Sequence, residues 1–225
     1  MFAHAPLVFV AHADRSLRTR LRTVIDEAGL MARFHDDAES LLAQLHVTGP
    51  ACLVVDLQLP DIDGLQLQSL LADRRDIPMI FIADNPSVRT IVRAMKGGAI
   101  EVLTTPLDEG LLLDAIRQAL LLSETLRERE SERRLFQQRF ERLSRREREV
   151  MSCVVRGQLN KNIAFDLGIS EITVKVHRGQ VMRKMQADSL AELVNMAMAL
   201  RLGAPARLHH DHHSLPKMER SALHV

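Results

Sequence analysis

Along the first half of the chain, short apolar runs alternate with stretches in which apolar residues recur every three or four positions. The runs are LVFVA (7–11), LMARF (30–34), ACLVV (51–55), PMIFI (78–82) and the weaker IEVL (100–103). Their length and their Val, Ile and Phe content predict strands, while the spacing over 14–28, 36–45, 64–74 and 86–97 predicts helices. Strands alternating with helices predict a doubly wound α/β domain with a five-stranded parallel sheet over residues 1–122. In such sheets the chemistry gathers at the carboxyl ends of the strands, so the residues that follow each run are the candidates for function. Asp56, which ends the run ACLVVD, is the first of them.

From about residue 108 the pattern becomes entirely helical. Leu112, Ile116, Ala119, Leu126, Phe136 and Phe140 continue an imperfect stripe through LLLSETLRERESERRLFQQRFERL, whose middle is nearly all charged. Residues 123–142 therefore read as a linker helix. It is either solvated all round or paired with its twin across a seam that Arg129, Glu130 and Arg133 interrupt. Clearer punctuation follows. Ser144 with Glu147 forms a capping box that opens a helix over 145–156, and Gly157 closes it. A helix over 160–167 ends at Gly168, and Ser170 caps a third over 171–185. Two helices joined by the turn LGIS form a helix-turn-helix, with the second placed to enter a DNA major groove. A fourth helix over 189–201 carries Leu190, Leu193, Val194, Ala197 and Leu200, a stripe that closes the small core or extends into a dimer contact. Residues 143–203 make one domain, and 204–225 a flexible tail. The tail's His209, His210, His212 and His213 lack the ligand framework of a metal site.

Composition narrows the class. With 225 residues and 46% hydrophobic content, the chain holds enough apolar surface for two small cores. No apolar run approaches the roughly 20 residues that span a bilayer. The segment MFAHAPLVFVAHADRS also lacks the basic start of a secretory signal, so a cytoplasmic protein without a membrane partner is expected. Cys52 and Cys153 are too few for a disulfide or metal framework and read as core thiols. The net charge of +1 hides an asymmetry. Residues 1–122 hold 11 Lys and Arg against 16 Asp and Glu, whereas residues 144–203 hold 10 against 6. A basic back half points to nucleic acid as its partner.

The segment LSRREREVMSCVVRGQLNKNIAFDLGISEITVKVHRGQVMRKMQADSLAELV (143–194) closely resembles the LuxR-type DNA-binding domain. Residues 6–122 resemble a receiver domain through the strand–Asp56 junction, Pro60, the Asp63–Gly64 helix start, AMKGGA at 94–99 and Pro106. The order of the two parts is similar to response regulators of the FixJ/NarL subfamily. That resemblance implies a phosphate acceptor at Asp56, and it also implies partners for Asp56 that are missing here. Receivers place two acids for Mg²⁺ after the first strand, where this chain has His12 and Ala13, and Asp14 comes one position too late. The hydroxyl residue after the fourth strand corresponds to Ala83, the Lys before the fifth-strand Pro to Thr105, and the reporting aromatic to Val102. A carboxylate attacking a phosphoryl group brings two anions together, and the reaction depends on positioning and on neutralisation by metal and cation. The expectation is a degenerate receiver in which Asp56 is a structural acid, paired with His12. Two alternatives stay open: a transition-metal site of His12, Asp56 and Asp84, and a pocket or surface read by a small ligand or partner protein.

For DNA, the resemblance puts Lys175 and Val176 on the exposed face of the recognition helix, where Lys reaches guanine acceptors and Val a thymine methyl. Gly179 stands where relatives often carry a longer side chain, which leaves Gln180 or Arg178 to read base edges. Asn160, Lys161, Ser170, Thr173, His177, Arg178 and Lys184 are candidates for phosphate contacts. Ile163, Leu167, Ile169, Val174, Val181 and Met182 are assigned to the core. Together these residues imply a homodimeric transcription factor on inverted-repeat, double-stranded promoter DNA, with RNA polymerase or a partner regulator as possible further contacts. No cofactor is expected, and two other readings remain: a protein-interaction regulator and a regulator controlled by phosphorylation of Asp56. An enzyme is disfavoured. The chain has no GxxxxGK[ST] loop, and Gln58 occupies the place of the second acid of Asp-nucleophile phosphatases.

Overall fold

A computed structural model describes residues 5–202. The histidine-rich tail lies outside the described residues. The described chain divides between Glu132 and Arg133 into two compact units. Five strands form the first unit's sheet: β1 (Leu7–Ala11), β2 (Met31–His35), β3 (Ala51–Asp56), β4 (Met79–Ala83) and β5 (Glu101–Thr104). They pair in parallel in the order β2-β1-β3-β4-β5. Helices α1 (Arg15–Glu27), α2 (Ala38–Gln44), α3 (Gly64–Leu70) and α4 (Val88–Lys96) alternate with the strands, and α5 (Glu109–Glu141) follows β5.

Alternate residues of each inner strand face opposite layers, so both faces have to be apolar. Phe9, Ala11, Leu53, Val55 and Phe81 join one core with Leu41, Leu65, Leu67 and Ala94 from α2, α3 and α4. Val8, Val10, Cys52, Val54, Ile80 and Ile82 join the other with Leu21 and Ile25 of α1 and Leu112 and Ile116 of α5. Cys52 and Cys153 are both buried, and burial pushes the Cys52 thiol's pKa up. The strand order reverses direction at β1 and β3, which makes the carboxyl ends of these two strands the switch point where ligands settle.

The 33 residues of α5 form a single helix. Its first turns bury Leu112, Ile116, Ala119 and Leu120 against the sheet, whereas Phe136 and Phe140 pack on the core of the second unit. That unit contains α6 (Arg145–Val155), α7 (Asn160–Leu167), α8 (Glu171–Met185) and α9 (Leu190–Ala199). The Ser144–Glu147 capping box is present. Gly168 ends α7 in the left-handed region at φ 63°, where a side chain would be strained. Val150, Ile163, Val174, Val181, Met185, Leu193 and Met196 are its buried centre, with Leu167, Ile169 and Met182 packed partly buried around them.

Candidate functional site

Two places gather the candidate residues: the strand ends of the first unit and helix α8 of the second. At the strand ends, Asp56 closes β3 with its side chain 14% exposed. Its Oδ1 accepts the Gln58 backbone N–H at 2.9 Å, and its Oδ2 lies 3.2 Å from His12 Nε2. The Asp14 backbone N–H donates to His12 Nδ1 at 3.0 Å. A backbone N–H can only donate, so Nδ1 is the bare nitrogen and Nε2 carries the ring hydrogen on the side of Asp56. His12 is therefore held from both ends, between the start of α1 and the acceptor-position carboxylate. The Arg18 guanidinium fixes the backbone of the same loop by donating to the carbonyls of His12 and Ala13.

The neighbouring acids have other tasks. Asp14 caps α1 by accepting the Ser16 N–H at 2.7 Å. Asp61 accepts the Ala38 and Glu39 N–H groups at 3.1 and 2.9 Å, closing the start of α2 from another loop. Burial opposes ionisation of Asp61, but these N–H donors together with those of Asp61 itself and Ile62 outweigh it and lower its pKa. Asp63 caps α3 and accepts the Leu65 N–H at 2.8 Å. Gly64 follows because a Cβ there would sit 2.8 Å from the Asp56 carbonyl oxygen. Thr105 Oγ1 donates to Asp84 Oδ1 at 2.7 Å, Ala83 is buried, and Val102 packs half-buried against the α2–α4 core.

The receiver fold implies Mg²⁺, a hard ion that takes oxygen ligands. The residues here do not fit it, because the two loop positions offer a methyl group and an imidazole whose Nδ1 already accepts a hydrogen bond. Among the described residues, no three His, Cys, Asp or Glu side chains gather in a metal-holding arrangement. His12, Asp56 and Asp84 therefore do not form the transition-metal set that the sequence left open.

In the second unit, Ser170 caps α8 by accepting the Thr173 N–H at 3.1 Å. Lys175, Val176 and Gly179 are exposed along one side of α8, and His177, Arg178 and Gln180 are half-buried. Lys161 stands exposed in the first turn of α7. Several candidate residues meet one another or the scaffold. Arg178 Nη1 donates to Asn160 Oδ1 at 2.6 Å, locking α8 to the start of α7. Gln180 Oε1 accepts from Arg183 Nη2 at 2.5 Å. Lys184 Nζ lies 2.6 Å from Glu147 Oε2 and ties α8 to the capping box of α6. Burial works against the charge of Glu147, yet the Lys184 ammonium and the Ser144 donors hold its carboxyl below the ordinary range.

Sequence reasoning did not anticipate the Arg18 clamp, the Asp61 cap or the Thr105–Asp84, Arg178–Asn160 and Glu147–Lys184 pairs. Each joins residues that are remote in sequence or that are read as loop and surface, so local pattern carries no signal for them. Only the Glu147 capping box was visible.

A receiver-type sheet and a helix-turn-helix in one chain define a signal-responsive DNA-binding protein. Residues 8–117 match the response regulator receiver domain, and residues 141–197 match the bacterial regulatory proteins of the luxR family. The chain is 39% identical over 199 residues to nodulation protein W of Bradyrhizobium diazoefficiens, covering 88% of each chain. It is 38% identical over 196 residues to the transcriptional regulatory protein FixJ of Rhizobium meliloti, covering 85% of this chain and 95% of that one. The solved response regulator StyR superposes with a TM-score of 0.74 at 40% identity, covering 87% of this chain and 99% of that one. The chain belongs to the DNA-binding transcriptional response regulators of the LuxR/FixJ type. This is a family of regulators and not a class of enzymes. No helix among the described residues is long and apolar enough to cross a membrane.

Proposed function

We propose that this regulator binds inverted-repeat promoter DNA as a homodimer and does not use Mg²⁺-dependent phosphorylation of Asp56 as its switch. In this reading residues 1–122 are the receiver-like part, 123–142 the linker helix and 143–203 the DNA-binding part. The observation that carries the reading of the receiver is the contact of His12 with Asp56. An imidazole with its Nδ1 already engaged stands where the resemblance calls for an acid, and Thr105, in place of a Lys, turns to Asp84. An approaching phosphoryl group would meet the carboxylate without a metal ion or ammonium to offset the repulsion.

On the DNA side, the support is the exposed outer face of α8. Lys175 and Val176 are exposed there and take base edges in the major groove. Ser170 and Thr173 at the start of α8, His177 further along it and Lys161 in the first turn of α7 are the phosphate contacts in this reading. Arg178, Gln180 and Lys184 have partners within the unit and serve first to orient α8, so contact with DNA requires them to share or exchange those partners. On α9, Leu190 and Met198 are exposed and Val194 half-buried, an apolar edge suited to pairing with a second copy. Two copies related by a two-fold axis read half-sites about one helical turn apart.

The test is selection of sites from a randomised duplex pool by the full-length protein, followed by titration with Lys175→Ala. The selected sites are expected to be palindromic. The variant should keep its helical circular dichroism and lose about 1–3 kcal/mol of discrimination at the guanine it contacts. Unchanged discrimination would remove Lys175 from the reading surface.

A further inference from the structure

A cleft of about 290 Å³ lies on the α1 side of the sheet, lined by Arg15, Arg18, Thr19, Arg22, Phe34 and Asp36. The geometry points to a binding site for a small phosphate-bearing molecule in this cleft, a site separate from Asp56 and independent of how Asp56 is read.

Arg15, Arg18 and Arg22 are spaced three and four residues apart and so share one face of α1. That face looks onto β2, the edge strand of the sheet, and onto Asp36 just beyond it. Two of the three guanidiniums are held in place by neutral groups. Arg22 Cζ lies 4.2 Å above the centre of the Phe34 ring, and Arg18 donates to the carbonyls of His12 and Ala13. A ring face and two carbonyls orient a cation without cancelling its charge. Against three guanidiniums the lining supplies the single carboxylate of Asp36, which leaves about two positive charges facing the cleft. A phosphate monoester carries about −1.5 to −2 at neutral pH and matches the planar fork of Arg donors. The Thr19 hydroxyl also lines the cleft but already donates its hydrogen to the Arg15 carbonyl at 2.9 Å, so the guanidiniums are the donors for an anion. Because Arg18 and Arg22 are oriented beforehand, binding loses little of their side-chain freedom.

Size and surroundings select the occupant. The cleft is at the lower end of small-molecule sites and holds a phosphate with a modest organic body. Residues 1–122 carry five more acidic than basic side chains, so a long polyanion such as DNA, which must pass over the rest of the unit, is repelled more than a small anion that touches the cleft alone. The Arg18 clamp also joins the cleft to the backbone of the loop that bears His12.

The experiment is calorimetric titration of the full-length protein at fixed ionic strength with inorganic phosphate in one arm and adenosine monophosphate in another. Saturable one-to-one binding is expected in at least one arm, and the arm that binds tighter shows whether the organic body contributes. Arg15→Gln, which leaves the Phe34 and carbonyl contacts in place, should weaken binding about tenfold with an unchanged melting temperature. Arg15→Gln combined with Arg22→Gln should abolish it. No saturable binding in either arm, or binding that both variants retain, overturns the proposal.

Discussion

His35 shows how one side chain reports on its surroundings. It closes β2 at 4% exposure and stacks on Phe9 with ring centres 6.3 Å apart, and its Nε2 is without a hydrogen-bond partner. Burial lowers its pKa below the ordinary 6.5, an effect that Asp37 only partly offsets. In the unfolded chain the same imidazole takes up a proton near pH 6.5, so the unfolded state binds more protons between that value and the lower folded one. Stability is therefore fully present above about pH 6.5 and falls as the pH drops through this window. Urea titrations at pH 7.5 and 5.5 should show the loss, and His35→Phe should flatten it. A variant with the same slope would assign the pH dependence elsewhere. The sequence placed His12 beside Asp56 correctly as a pair. It was silent on the tautomer, because the Asp14 N–H that sets it belongs to the backbone.

Element by element, the fold was written in apolar period and caps. The strand runs were located to within one residue, because a doubly covered parallel strand has to be apolar on both faces. Helix ends were less legible where a turn outcompeted the pattern. The spacing predicted a helix over 64–74, but α3 stops at Leu70, and the Arg74 N–H instead closes a turn on the Leu71 carbonyl at 2.8 Å. The start of α3 is tightly determined. Gly64 lies so close to β3 that a Cβ would fall 2.8 Å from the Asp56 carbonyl oxygen and 3.1 Å from the Phe81 ring. Gly64→Ala should force the helix away from the strand and cost about 1–3 kcal/mol, the usual range for overpacking. Chemical denaturation measures it, and a loss within about 0.5 kcal/mol, as for an ordinary surface change, would mean that the junction yields freely. The site at the strand ends was only half legible for the same reason. Asp56 and the residues replacing its usual partners follow their strands in sequence, whereas the Asp61 and Asp84 contacts depend on which loops the sheet brings together, and the Arg18 clamp on a side chain folding back along its own segment.

For the whole molecule, the two units supply complementary parts. The acidic unit carries a pocket whose carboxylate already has His12 and the Gln58 N–H as neighbours, and the basic unit carries the capped helix α8 with exposed residues along one side. The long α5 contributes to both cores. Under the function proposed above, such a regulator binds DNA in the state in which it is made or responds to something other than a phosphoryl group on Asp56. The most direct measurement compares the full-length protein before and after treatment with acetyl phosphate and Mg²⁺, by intact mass and by titration on a selected duplex. The account predicts no phosphoryl mass gain and one DNA affinity throughout. A mass gain and a tightened affinity that both disappear in Asp56→Ala would contradict it.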